Sequence, residues 1–242
     1  MFSPTMRSLA AAAGLAMATA SLAACAPSSS AHGLAVVATT TQICDYVTQI
    51  AAHSADISLD KTDAAGKSSH VGAQNDGAAL TMSLTCLLAP NASAHEHEMI
   101  PAQTSALAQA DVMAVSGVDL EHFLDDAVAS SGFKGRMVVT SGVLTAADVD
   151  NPGTPDPEGP YTIDRGSERV DVAPWPFPPE EAGEEPEFRF DPHVWTSPKG
   201  ARVQVANLGA GLAAAVPDAA SSINAATASY LEDIDALDDW TA

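Results

Sequence analysis

Four short apolar runs, Leu34 to Ala38, Leu80 to Leu88, Val112 to Val115 and Met137 to Val139, alternate with segments whose apolar residues recur at helical spacing. Strands separated by helices join one sheet as parallel neighbours, because each helix carries the chain back across the sheet and covers a face of it. The pattern therefore predicts an α/β fold with a doubly wound parallel sheet. Ligands of such sheets bind beyond the carboxyl ends of the strands.

Between the runs the punctuation is specific. Thr39, Thr40 and Thr41 offer hydroxyls that can cap a helix carrying Ile43, Val47, Ile50 and Ala51 on one stripe. Residues 53–78 are polar and rich in Gly, Ser and Asp, and read as an exposed excursion with few apolar anchors and a solvated His70. Leu80 to Leu88 fits a strand covered on both faces. Pro101 opens a helix through Leu107 and Ala110, and Leu120, Phe123, Leu124 and Val128 form another helical stripe. Residues 146–190, dense in Pro, Glu, Asp and Gly, read as a long loop pinned by Trp175 and Phe177. A helix from Pro198 to about Ala215 follows, then one from Pro217 whose stripe includes Ile223, Tyr230, Ile234 and Leu237. Glu232, Asp233, Asp235, Asp238 and Asp239 crowd its last turns, where the helix dipole disfavours negative charge, so this end reads as a helix cut short.

Charge removes one class of partner. Thirty-one acidic residues against 10 Lys and Arg give a formal charge of -21, which repels phosphate backbones and argues against nucleic acid. The same acidity concentrates cations or simply solubilises an extracellular surface. Arg7, the apolar run from Leu9 to Leu22 and the small pair Ala23-Ala24 have the order of an export signal over residues 1–24. Leu22-Ala23-Ala24-Cys25 resembles the lipobox of bacterial lipoproteins, which implies cleavage before Cys25, a lipid on its sulfur and a tether over residues 25–33. Cys44 and Cys86 then remain, an even number in an oxidising compartment; they form either a disulfide or two buried thiols.

Two histidine segments lie just beyond apolar runs. In Asp191-Pro192-His193-Val194-Trp195, Pro192 biases Asp191 to an extended conformation, Ser197 can cap and Pro198 suits the first helical turn, so His193 sits on a stiff corner. His95-Glu96-His97-Glu98 follows the second apolar run. Imidazoles placed where strand ends converge suit a transition metal. His97 could face the same side as His95 and assist, while Glu98 could ligate or orient an imidazole.

These segments also carry a resemblance. Val36-Val37-Ala38-Thr39-Thr40-Thr41-Gln42-Ile43, Ala94 to Pro101, Ala106 to Asp111 and Asp191 to Trp195 are together similar to the solute-binding lipoproteins of bacterial zinc and manganese ABC transporters. That family implies two parallel-sheet lobes joined by a long helix, with Zn2+ or Mn2+ held between them and handed to an ABC permease. It places His95 and His193 at the ligand positions of the first lobe. On this reading residues 34–217 are that lobe, residues 218–242 begin the connecting helix, and the second lobe is missing. A monomer on a lipid anchor, outside the cytoplasmic membrane and without catalysis, is the expected form. Ser93-Ala94 departs from the Asp-Pro usual before the first histidine, and His97 replaces a common aromatic.

Two other functions compete. A metal-dependent hydrolase could use His95-Glu96-His97 to activate water, although Met99 stands where a zincin helix needs its second histidine. A surface metal buffer would bind the ion without transport.

Overall fold

The computed structural model describes residues 33–242 except 75, 76, 154, 157, 158, 180–183 and 185. The export signal, Cys25 and the tether before Gly33 lie outside the described residues. Seven strands form one sheet in the order β3-β2-β4-β1-β5-β6-β7. These are β1 Leu34–Ala38, β2 Ile57–Thr62, β3 Ser68–Gly72, β4 Leu80–Cys86, β5 Val112–Val115, β6 Arg136–Val139 and β7 Thr162–Asp164. Every neighbouring pair is parallel except β2 and β3. The doubly wound sheet expected from the alternation is present.

Helices cover both faces. On one lie α1 (Thr41–Ala52), α5 (Pro198–Ala215) and α6 (Ala220–Thr241), whose Ile43, Ile50, Leu208, Leu212 and Ile223 pack with Val36, Ala38 and Leu84. On the other, α2 (Pro101–Ala108) and α3 (Leu124–Ser131) bring Leu107 and Ala127 against Val37, Met113, Val115 and Met137. Thr40 starts α1, its hydroxyl accepting from the Ile43 amide at 3.2 Å. Ser197 starts α5 in the same way, accepting from Gly200 at 3.0 Å. The close seat of α5 on the sheet needs Gly211, where a Cβ would lie 2.5 Å from a Val138 methyl.

Five expectations are corrected. The polar stretch 53–78 contains β2 and β3, and Ile57 and Leu59 are fully buried. Two apolar side chains among Ser, Asp and Lys suffice because only one face of β2 meets the core and β3 is an exposed edge. His70 lies on that edge, its ring bonded to Asp60 at 3.0 Å and to the Ala73 carbonyl at 2.9 Å. Strand β4 is covered on one face alone, since Thr81 and Ser83 are exposed while Leu80, Met82 and Leu84 are buried.

The acidic stretch is not a continuous loop, because it supplies α4 (Ala146–Asp150) and the edge strand β7, tied to β6 by Arg136 and Asp164 at 2.8 Å. Its anchors also differ: Phe177 is 62% exposed, whereas Phe188 is 4% exposed and packs on Trp175 at 5.0 Å. In α6 the predicted stripe ends early, with Leu237 49% exposed. No helix among the described residues is long and apolar enough to cross a membrane.

Candidate metal centre

The loops that leave β4 and β5 carry histidines at the carboxyl edge of the sheet. Cys86, the last residue of β4, is joined to Cys44 of α1 by a disulfide with Cα atoms 5.6 Å apart. The following loop, residues 87–100, is held by buried Gln103 of α2. Its amide nitrogen donates to the Leu87 carbonyl at 2.7 Å, and its oxygen accepts from the Ile100 amide at 3.2 Å. This leaves His95 half-buried, with Nδ1 3.1 Å from the Leu120 carbonyl.

The loop after β5 is set by a buried carboxylate. Glu121 Oε1 accepts from the Ser116 amide at 2.7 Å and the Thr39 hydroxyl at 2.6 Å, while Oε2 accepts from Gly117 at 3.1 Å. Burial pushes the Glu121 carboxyl above the usual carboxylate range, and the three donors oppose that shift. Gly117, Val118 and Asp119 all have positive φ. A side chain at Gly117 would meet the Val143 carbonyl at 2.1 Å. This tight turn presents the Leu120 carbonyl to His95 and places His122 just before α3.

His193 stands where the acidic stretch gives way to α5. Its amide and its Nδ1 both bond Asp191 Oδ1, at 3.0 and 2.7 Å. The Asp191 amide donates to the Ala173 carbonyl at 2.8 Å, fixing the corner from behind. The ring centroids of His95 and His193 are 5.6 Å apart. Two imidazoles on one tetrahedral zinc, each with a bond of about 2.0–2.1 Å, have centroids about 5 Å apart, so the pair is close to a ligating arrangement.

Tautomers follow from the partners. A carbonyl oxygen and a carboxylate only accept, so Nδ1 is the donor in both rings and Nε2 keeps its lone pair. A metal ligand needs that lone pair. Burial holds the His95 imidazole below the usual histidine range; His193 and His122 act in the same direction, against the Leu120 bond and Glu187. Neutral imidazole is thereby favoured at the centre of the group.

His97 is turned elsewhere. Its Nε2 lies 3.1 Å from Gln103 Oε1 and its ring packs edge-on against Phe123 at 4.9 Å. Burial lowers its pKa as well, and Nε2 is spent as a donor. Glu98 is exposed and makes no hydrogen bond to either imidazole.

Sequence reading passed over His122 and Phe188. The His122 ring is 5.7 Å from His95, and Phe188 lies 4.8 Å from His95 and 5.5 Å from His122. The rule that singled out His95, a histidine just past an apolar strand, also fits His122 after β5. As the side chains stand, no group of three or more His, Cys, Asp or Glu among the described residues is arranged to hold a metal ion.

The fold is a doubly wound α/β lobe whose imidazole pair lies beyond the carboxyl ends of the strands, the place where sheets of this type bind ligands. Residues 77–242 match the ZnuA family, described as the periplasmic component A of a zinc-uptake complex, and the chain belongs to that family. Among solved structures it is similar to zinc-bound AdcA of Streptococcus pneumoniae, with 18% identity, a TM-score of 0.53 and coverage of 86% of this chain and 32% of that one. It is also similar to the metal-dependent lipoprotein YcdH of Bacillus subtilis, at 16% identity and a TM-score of 0.51, covering 86% of this chain and 54% of YcdH. A zinc-bound ZnuA deletion mutant gives 15% identity and 0.51, covering 85% of this chain and 56% of the mutant. These likenesses are likenesses of fold, and the chain spans from 32% to 56% of the length of those proteins.

Proposed function

We propose that the chain forms the metal-receiving lobe of an extracytoplasmic receptor that captures a divalent transition metal, Zn2+ or Mn2+, and delivers it to an ABC permease. The observation that carries this reading is the pair His95 and His193, contributed by separate loops, with centroids 5.6 Å apart and both Nε2 lone pairs free. Membership of a zinc-uptake family supports the class of cargo. Zinc-bound AdcA and the metal-dependent lipoprotein YcdH share the fold.

In this reading the chain's own residues do three things. The Leu120 carbonyl and Asp191 orient the two imidazoles and fix their tautomers, as outer-shell partners of ligating histidines commonly do. Phe188 and Trp175 back the site and restrict water behind it. Two imidazoles leave further coordination positions for water or for donors from another segment. Cys25, lipidated after cleavage of residues 1–24, would keep the receptor beside its permease at the outer face of the cytoplasmic membrane, as a monomer.

The test is a calorimetric titration of the chain with Zn2+ and then Mn2+, beside a His95→Ala, His193→Ala double variant. One equivalent bound by the wild type and none by the variant is the expected result. Equal binding by both proteins refutes the assignment. Chelator-sensitive turnover of a simple phosphoester, lost in His95→Ala, would instead make the chain a hydrolase. Binding without support of uptake in a receptor-deficient cell would make it a metal buffer.

A further inference from the structure

Resting on that reading, we infer that His122 is a third imidazole of the site, that it completes a three-histidine centre within this single lobe, and that it biases the lobe toward zinc over manganese. A metal held by two neutral nitrogens alone is weakly bound, whereas three imidazoles and one open position make a familiar zinc environment. A third nitrogen ligand within reach would therefore change what the lobe can hold by itself.

His122 is the residue within reach. Its ring centroid lies 5.7 Å from that of His95, nearly the 5.6 Å that separates His95 from His193, so His95 has two imidazole neighbours at almost equal distance. The backbone under His122 is immobilised by its neighbours: Glu121 is bonded to Ser116, Gly117 and Thr39, and Phe123 is 8% exposed in the second core. The side chain is the opposite. It is exposed, rests against Phe188 and His95 by ring contact, and among the described residues makes no hydrogen bond that a reorientation would have to break. Rotation about its Cα–Cβ and Cβ–Cγ bonds swings the ring toward the His95–His193 pair over a fixed Cα.

That swing is required, because the three side chains as they stand do not surround one point. His95 and His193 are held by bonded Nδ1 atoms, and His122 is the adjustable member. A cation supplies the reason to adjust: it offers the free imidazole nitrogen a coordination bond, and an exposed side chain has little packing to lose. The bland alternative, a surface histidine resting on Phe188, predicts no participation at all. The metal preference follows from ligand type. Three imidazoles suit zinc and its neighbours in the series, while manganese favours carboxylate and water oxygens.

The experiment compares the full chain with His122→Ala and with the His95→Ala, His193→Ala double variant. Zn2+ and Mn2+ affinities are measured by competition with a chromophoric chelator, and Co2+ serves as a spectroscopic probe of ligand number. His122→Ala is expected to weaken Zn2+ binding at least about tenfold, the loss that removing even an outer-shell partner commonly brings, with a smaller effect on Mn2+. The visible Co2+ bands are expected to change in position and intensity. His122 is exposed, so a circular dichroism spectrum equal to that of the wild type is expected and separates ligation from folding. Zn2+ affinity within about twofold of the wild type and an unchanged Co2+ spectrum would overturn the role of His122 while leaving the receptor reading in place. Zn2+ binding that survives the double variant, or is missing from the wild type, would overturn both.

Discussion

Breaking the bond between Cys44 and Cys86 is the perturbation with the clearest arithmetic. The two cysteines are 42 residues apart, and the bridge closes a loop containing most of α1 and all of β2, β3 and β4. Cross-linking such a loop removes conformational entropy from the unfolded chain worth about 4 kcal/mol near room temperature. For a domain of this size each kcal/mol corresponds to about 2–4 °C in Tm, so the reduced protein is expected to melt about 8–16 °C lower. The assay is urea unfolding, followed by far-ultraviolet circular dichroism, of oxidised wild type, reduced wild type and a Cys44→Ala, Cys86→Ala variant. Both cysteines are buried, at 6% and 3% exposure, so the variant also loses a little packing and should lie slightly below the reduced wild type. The denaturant slope should rise on reduction, because an uncrosslinked chain exposes more surface when it unfolds. An oxidised and a reduced protein that unfold at the same urea concentration would refute the reasoning: the unfolded state would then hold this loop closed without the bond.

Three further outcomes are expected. Glu121→Ala strands the Ser116 and Gly117 amides in a dry interior, at about 1–3 kcal/mol for each unsatisfied donor, and chemical denaturation should show a loss of about 3 kcal/mol together with weaker Zn2+ binding. His53, whose pKa is raised by its bond to the Gln49 carbonyl and, against desolvation, by Asp233, adds stability in full below its unfolded value near about 6.5 and loses it as pH rises through the higher folded value. The stability difference between wild type and His53→Ala should therefore shrink across that window, and a difference independent of pH would refute the assignment. Free Zn2+ at about 100 times its Kd should raise unfolding free energy by about 2.7 kcal/mol in calorimetric melting, and the same addition should leave the His95→Ala, His193→Ala variant unmoved.

Three of these outcomes join groups that lie far apart in the chain, Cys44 with Cys86, His53 with Asp233 and His95 with His193, and that marks the boundary of what sequence alone conveys. The alternation of β-type runs with helical stripes was enough for the parallel sheet, because period and length are local properties and right-handed connections leave few ways to assemble them. Helix starts at Thr40 and Ser197 were legible for the same reason, since a cap depends on residues three positions away. His95 and His193 stood out because each follows a strand end or precedes a helix in a recognisable segment. Composition misled at residues 53–78 and 146–190, where β2 joins the sheet with two buried apolar side chains and β7 with only a partly buried Ile163, on a sheet already built by others. The pairing energy comes from the neighbouring strand, which local pattern does not record. Tertiary structure alone decided that Phe188, not Phe177, anchors the acidic stretch, that His97 spends its Nε2 on Gln103, and that His122 approaches His95. Those outcomes depend on where loops from β4, β5 and the α5 corner meet in space, and on which carbonyl or carboxylate each imidazole finds there.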